Sequence, residues 1–330
     1  MKPAPELVCP AGTPAGLRVA VEAGAHSVYC GYRDETNARN FPGLNFDRAE
    51  MRDAAAFAHD RGAKVLIALN TFMRAGATDI WHRGVDDAVA AGADALILAD
   101  VGLIDYARRT HPKQRLHLSV QAAAATPEAI AFYRDRFGIA RVVLPRVLTV
   151  EEIARLTAQA APCETEVFVF GGLCVMAEGR CMLSSYATGK SPNMTGVCSP
   201  PSHVTYREEG GALVASVDGF TVERFESGEP AGYPTLCKGR FMARGITSHL
   251  FEDPVSLNAV ELLPRLAEIG VSAFKIEGRQ RGRAYIAAVV RAFRRATDAL
   301  ATGGRIDFEE LRALTEGQNE TVGAYKKAWR

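Results

Sequence analysis

No stretch of this sequence approaches the roughly 18 consecutive apolar residues of a membrane-spanning helix, so none is expected. The first residues, MKPAPELVCPAGTPAG, hold no continuous apolar segment of signal-peptide length, and the expectation is a cytoplasmic protein. A dominant sign of charge is also missing: 39 Lys and Arg against 38 Asp and Glu leave a formal charge of +1. Nucleic-acid binders usually carry a basic excess, because phosphate neutralisation with counterion release drives their affinity. Balanced charge therefore sets the expectation of no nucleic acid among the partners. Seven cysteines are an odd number, and in a reducing compartment a disulfide framework is not expected. H-E-x-x-H and G-x-S-x-G are absent, and no G-x-G-x-x-G follows an apolar run, so those chemistries lack their signatures. GKS at Gly189–Ser191 has Ser184 where a phosphate loop requires its first glycine, so that motif fails.

What is present is a rhythm. Apolar runs at residues 6–10, 26–31, 64–70, 93–100, 116–122, 140–146 and 164–172 alternate with amphipathic segments of helical length. Strands alternating with helices point to right-handed βαβ units and a parallel sheet. The alternation stops after residue 172, where Gly, Pro and Ser become frequent and GALVASVDG marks a small β element. It resumes with an expected helix over 254–268, a strand over 272–278 and a helix over 282–300. Eight units predict an α/β fold, a (β/α)8 TIM-like barrel with a cysteine-bearing insertion between strand 7 and helix 7. The expected organisation is 1–172 for the first seven strands, 173–251 for the inserted segment and 252–330 for the end of the barrel and the tail.

In such a barrel the functional face is the C-terminal end of the strands. Alternation within strands then nominates side chains for the lumen. In RLHLSVQ, His117, Ser119 and Gln121 share the lumen face, with Gln121 nearest the rim. In FKIEGR, Lys275 and Glu277 do, and a lumen ion pair between them is one reading of that pair. Gln121, Lys275 and Glu277 are the candidate catalytic residues. Asn70 and Asp100 end strands three and four, where helix N-capping is the ordinary role. Arg39, Asn70 and Arg279 are candidates for binding a substrate or an anionic donor, since guanidinium groups suit carboxylates.

Four of the seven cysteines, Cys174, Cys181, Cys198 and Cys237, fall inside the insertion in the pattern C-x₆-C-x₁₆-C-x₃₈-C. Gly or Pro flanks three of them, as in GGLC, VCSPP and YPTLCKG, which lets backbone fold closely around a small object. Cys9, Cys30 and Cys163 lie in or beside apolar runs and read as small buried hydrophobes. Four thiolates can hold Zn²⁺ or an iron–sulfur cluster. The paired C-x₂₋₄-C knuckles of structural zinc sites are absent, and so is ferredoxin spacing, so spacing leaves both metals open.

CPAG at Cys9–Gly12, DETNARNFPGLNF at Asp34–Phe46, SVQA at Ser119–Ala122, GGLCVMAEGRCMLSSYATGKSPN from Gly171 and KIEGRQR from Lys275 resemble the collagenase-like peptidase family U32. AGYPTLCKGR from Ala231 and GAYKKAWR from Gly323 extend the resemblance over nearly the whole chain, and it is strongest to the branch serving oxygen-independent ubiquinone biosynthesis. That resemblance implies a [4Fe–4S] cluster on Cys174, Cys181, Cys198 and Cys237. It further implies ring hydroxylation of a polyprenylated ubiquinone precursor, a heterodimer with a UbiV-like subunit, and an accessory lipid-binding protein. Prephenate would be the oxygen donor. The alternatives within the family are an RNA-base hydroxylase and a peptidase.

Overall fold

The computed structural model describes residues 4–174, 181–190, 192, 197–253, 255–315 and 319–326. Seven strands, β1 (Glu6–Pro10), β2 (Ser27–Gly31), β3 (Lys64–Leu69), β4 (Ala95–Leu98), β5 (Leu116–Leu118), β6 (Arg141–Val143) and β7 (Glu164–Gly172), pair in parallel order. The strand Ala273–Ile276 pairs in parallel with both β1 and β7 and closes the ring. The chain is therefore a (β/α)8 barrel. Helices follow each of the first six strands, and all but Asp79–Ala90 start on a side-chain cap. Asp47 and Thr149 form capping boxes with Glu50 and Glu152, and Thr13 and Thr126 cap helices that open on Pro14 and Pro127.

Strand alternation sorts the apolar side chains into two sets. Leu7, Cys9, Val65, Ile67, Leu96, Leu98, Leu116 and Leu118 face outward into the layer beneath the helices. Val8, Tyr29, Leu66, Ala68, Ala95, Ile97 and Ala273 form a separate cluster within the lumen. The lumen is thus apolar mainly along β1 to β4. Along β5 to the closing strand it is lined by His117, Arg141, Glu166 and Lys275, all buried.

The insertion carries a three-stranded antiparallel sheet, with Ala212–Val217 between Val204–Glu209 and Phe220–Phe225, and a hairpin of Arg240–Ala243 with Ile246–His249. The helix expected over 254–268 is corrected. Val255–Asn258 is instead a strand antiparallel to the end of β7, with Ser256 opposite Gly172; a 3-10 turn follows, and helix begins only at Leu263. Residue 254 lies outside the described residues. Helical periodicity in NAVELLPRL reached back over a segment whose backbone groups are taken up by β7. The strand expected to run through residue 122 also ends earlier, at Leu118, because Ser119 caps a 3-10 turn over Val120–Ala122.

Candidate functional site

At the C-terminal mouth of the barrel the strand ends enclose a small cleft of about 50 Å³, room for a few water molecules. Arg39, Asn70, Gln121, Lys275, Glu277 and Arg279 all line it, so six side chains nominated from four separate segments meet at one place. Arg146, which sequence reasoning passed over, lines it as well. A larger hollow of about 950 Å³ opens at the opposite, N-terminal end. Barrel chemistry resides at the C-terminal face, and that topological rule outweighs size here.

The expected pairing of Lys275 with Glu277 does not form. Lys275 Nζ lies 2.6 Å from Glu166 of β7, a residue the sequence reading did not single out. Glu166 is fully buried and also meets Arg141 at 3.3 Å. These two cations hold its carboxyl below its ordinary range although burial alone would raise it. Burial dominates at Lys275 and lowers its pKa, with Glu166 opposing. Lys275 also sits 3.8 Å from the centre of the Tyr29 ring. Glu277 instead accepts a hydrogen bond from the Gly172 N–H at 3.0 Å.

Arg39 and Arg279 have no carboxylate at ion-pair distance among the described residues. Arg279 donates to Asn37 Oδ1 at 3.0 Å, and burial draws its pKa down to about 10, which still leaves it charged near neutrality. The loop after β2 is built to hold these groups. Asn37 Oδ1 also accepts from the Arg39 N–H, Asn70 Oδ1 accepts from the Ala38 N–H at 3.1 Å, and Asn45 Nδ2 donates to the Arg39 carbonyl. Gly12 is required in CPAG because a Cβ there would stand 1.9 Å from the Arg279 carbonyl oxygen. Gln121 is only 3% exposed, and its Oε1 has no hydrogen-bond partner among the described residues. A buried amide oxygen left unpaired costs about 1–3 kcal/mol, which marks this position as built for a ligand donor or an ordered water. Asp100 is outside the cleft and does what a strand-terminal aspartate ordinarily does, capping the next helix through the Gly102 and Leu103 N–H groups.

The strand end that leads to the cysteines is gripped from both sides. Arg146 donates to the Gly172 carbonyl at 2.6 Å while stacking 4.2 Å over the Phe168 ring, and Glu277 takes the Gly172 N–H. Cys174 follows two residues later. The seven cysteines are all among the described residues and form no disulfide. Cys9, Cys30 and Cys163 are buried in the barrel, where burial raises their thiols, that of Cys30 to about 12.

The insertion thiols behave as a group. Loss of water raises Cys237 to about 12, and the charges of Cys198, Cys174 and Cys181 add to the rise. Although Cys198 as a residue is exposed, its thiol is enclosed enough to rise to about 11; Arg39 opposes the rise while Cys174 and Cys181 reinforce it. Cys181 Sγ accepts from the Ser184 N–H at 3.4 Å, and Ser184 Oγ donates to the Cys198 carbonyl, tying two of the four segments together. Among the described residues no three ligand side chains yet converge closely enough to hold a metal. The donor set itself, four soft thiols within electrostatic reach of one another, is chemically suited to iron–sulfur or zinc. Arg39 is the shared member: it lines the cleft and acts on Cys198.

Fold and site together define a (β/α)8 barrel whose mouth adjoins a thiol-bearing insertion. Residues 12–326 match peptidase family U32, and the chain belongs to that family. It is 32% identical to the tRNA hydroxylation protein P of Escherichia coli (strain K12), over 94% of this chain and 71% of that protein. Identity to the tRNA hydroxylation protein P1 of Bacillus subtilis (strain 168) is 30%, covering 89% of this chain and 63% of the relative. Identity to the 23S rRNA 5-hydroxycytidine C2501 synthase of E. coli is 29%, covering 89% and 39%.

These relatives correct the assignment to the ubiquinone (UbiU-type) branch. With it fall the polyprenylated precursor, the UbiV-like subunit and the lipid-binding protein as expected partners. The expectation of no nucleic acid is overturned by the same relatives, which are named for hydroxylating tRNA and rRNA. The physical reason is visible at the mouth. The motifs that carried the resemblance build shared scaffolding, such as the Gly12–Arg279 approach and the asparagine-braced loop, and scaffolding identifies a family rather than a substrate. Whole-chain charge misled because it averages a local cluster of cations with many paired surface charges. Among the described residues no helix is long and apolar enough to cross a membrane.

Proposed function

We propose that this chain takes part in hydroxylating a base in RNA, with Cys174, Cys181, Cys198 and Cys237 as ligands of a [4Fe–4S] cluster. The observation that carries the reading is likeness of about 30% across some nine-tenths of the chain to proteins named for RNA hydroxylation. The mouth supports it. Replacing C–H by C–OH on a base is a two-electron oxidation and needs a co-reactant to supply oxygen. Arg39, Arg146 and Arg279 offer guanidinium groups that suit a small carboxylate-bearing co-reactant. A cleft of about 50 Å³ cannot enclose a nucleobase, so the base approaches from the rim while the inner cleft takes the smaller anion.

Bound beside that rim, the cluster would supply electron transfer. Around it the protein's own groups orient the reactants: Gln121 Oε1 accepts from one donor on the ligand, and Arg279 and Arg39 fix its charge. Lys275, ion-paired with Glu166 at 2.6 Å, adds a hydrogen-bond donor to the wall of the cleft. Mass spectrometry of nucleosides from tRNA and rRNA, with and without the gene, tests the reading. One nucleoside heavier by a single oxygen should vanish without the gene and return with it, but not with alanine at any of the four cysteines. An unchanged nucleoside profile rules the function out. Zinc, or fewer than about two irons per chain after anaerobic purification, rules out the cluster.

A further inference from the structure

Gly172 ends β7, two residues before Cys174, and side chains of the barrel hold both of its backbone polar groups. Its carbonyl accepts from Arg146 Nη1 at 2.6 Å, and its N–H donates to Glu277 Oε2 at 3.0 Å. The two side chains come from opposite neighbours of β7: Arg146 from just beyond β6, Glu277 from the end of the closing strand. Both also line the cleft. The glycine pair is shaped for this grip. Gly171 has φ +107°, and a Cβ on it would fall 2.4 Å from the Glu277 carbonyl oxygen; a Cβ on Gly172 would fall 2.9 Å from Glu277 Oε2. Any larger residue would push the carboxylate off the peptide.

We infer that Arg146 and Glu277 are positioning residues that clamp the Gly172 peptide from both sides and thereby set where Cys174 stands relative to the cleft. Arg146 stacked on Phe168 cannot swing away without losing that contact, so the clamp is rigid on the arginine side. The consequence for ligand-set assembly rests on the reading of the four cysteines given above. The clamp itself does not, and it is testable in metal-free protein.

The experiment alkylates full-length, metal-free protein with iodoacetamide and follows each cysteine by peptide mass spectrometry. Arg146→Gln and Glu277→Gln each weaken one side of the clamp, and Cys174 should react about fivefold faster, the equivalent of one net hydrogen bond. Cys237, remote in sequence from the clamp, should keep its rate within twofold. Arg146→Lys retains a donor for the carbonyl and should restore most of the protection. Equal Cys174 rates in all variants overturn the proposal, and so does a uniform rise across all four insertion thiols. Should either variant unfold, the buried Cys9 and Cys30 will react too. Gly172→Ala then decides alone, with selective acceleration at Cys174 supporting the clamp and an unchanged rate refuting it. A failure of RNA hydroxylation leaves this outcome untouched, because no turnover is read.

Discussion

The two ends of one barrel lumen treat charge in opposite ways. At the N-terminal end the carboxylates of Glu6, Glu164 and Glu166 each meet a cation. Arg141 joins Glu6 at 2.5 Å, Glu164 at 2.6 Å and Glu166 at 3.3 Å, and Glu164 also meets Arg115 at 2.7 Å. At the C-terminal end, among the described residues, Arg39 and Arg279 have only amide or carbonyl oxygens to bond, and Gln121 keeps an oxygen unpaired. The larger hollow is therefore a solved electrostatic problem, and the smaller cleft is an unsolved one. Unsolved charge inside a fold is where a ligand gains affinity, since the protein has already desolvated the groups that will bind it.

Four measurements break or sharpen that contrast. Removing a member of the paired end should hurt stability most: Glu166→Ala leaves Lys275 and Arg141 facing each other without a counter-charge and should cost about 3–5 kcal/mol in urea unfolding. A loss under about 1 kcal/mol would show that the network is looser than its geometry. At the open end the burden moves from folding to function. Arg279→Met should lower the hydroxylated nucleoside at least about tenfold while unfolding free energy stays within about 1 kcal/mol, because the side chain it replaces was desolvated without a carboxylate partner. Comparable losses of stability at both ends would erase the distinction. Gln121→Leu removes the unpaired oxygen and should raise stability by about 1 kcal/mol while reducing product; a destabilised variant would mean that the oxygen is satisfied in solution.

The smallest effect is one of pH. His117 is buried, and burial first, with Arg141 and Arg115 next, lowers its pKa well below 6.5. The unfolded chain then takes up the proton first, so stability falls as pH drops below about 6.5 and continues falling toward the depressed folded value. Glu166, also depressed, adds its own loss only below its ordinary 4.5, as pH falls through the folded pKa. His117→Asn should flatten the decline in unfolding temperature between about pH 7 and pH 5. A slope identical to the parent's would assign the acid sensitivity elsewhere.

The barrel was legible because period-two and helical patterns alternate cleanly through residue 172, and parity put Lys275 on the lumen side; Gln121 and Glu277 lie just past their strand ends, where parity no longer applies, yet both line the same cleft. What parity could not give was partnership. Lys275 and Glu277 are two residues apart on one strand and look like a pair, yet the nearer carboxylate comes from a neighbouring strand. The signal for it was present: Glu166 in ETEVFVFGG and Arg141 in ARVVLPR are charges inside otherwise apolar strand runs. Arg146 follows a proline after a strand and looks like ordinary loop arginine; only the folded path of β7 brings Gly172 to it. The strand Val255–Asn258 was hidden because its pairing partner lies more than eighty residues earlier in the chain.

That strand has a wider meaning. The chain leaves the barrel at Gly172 and re-enters opposite it at Ser256, so departure and return are neighbours in one sheet. The inserted segment thus leaves and returns through a single doorway. For the barrel, closing that doorway costs nearly the same whatever passes through it, since loop-closure entropy grows only with the logarithm of length. As far as chain entropy is concerned, the intervening segment can lengthen or shrink at little cost to the eight strands behind it.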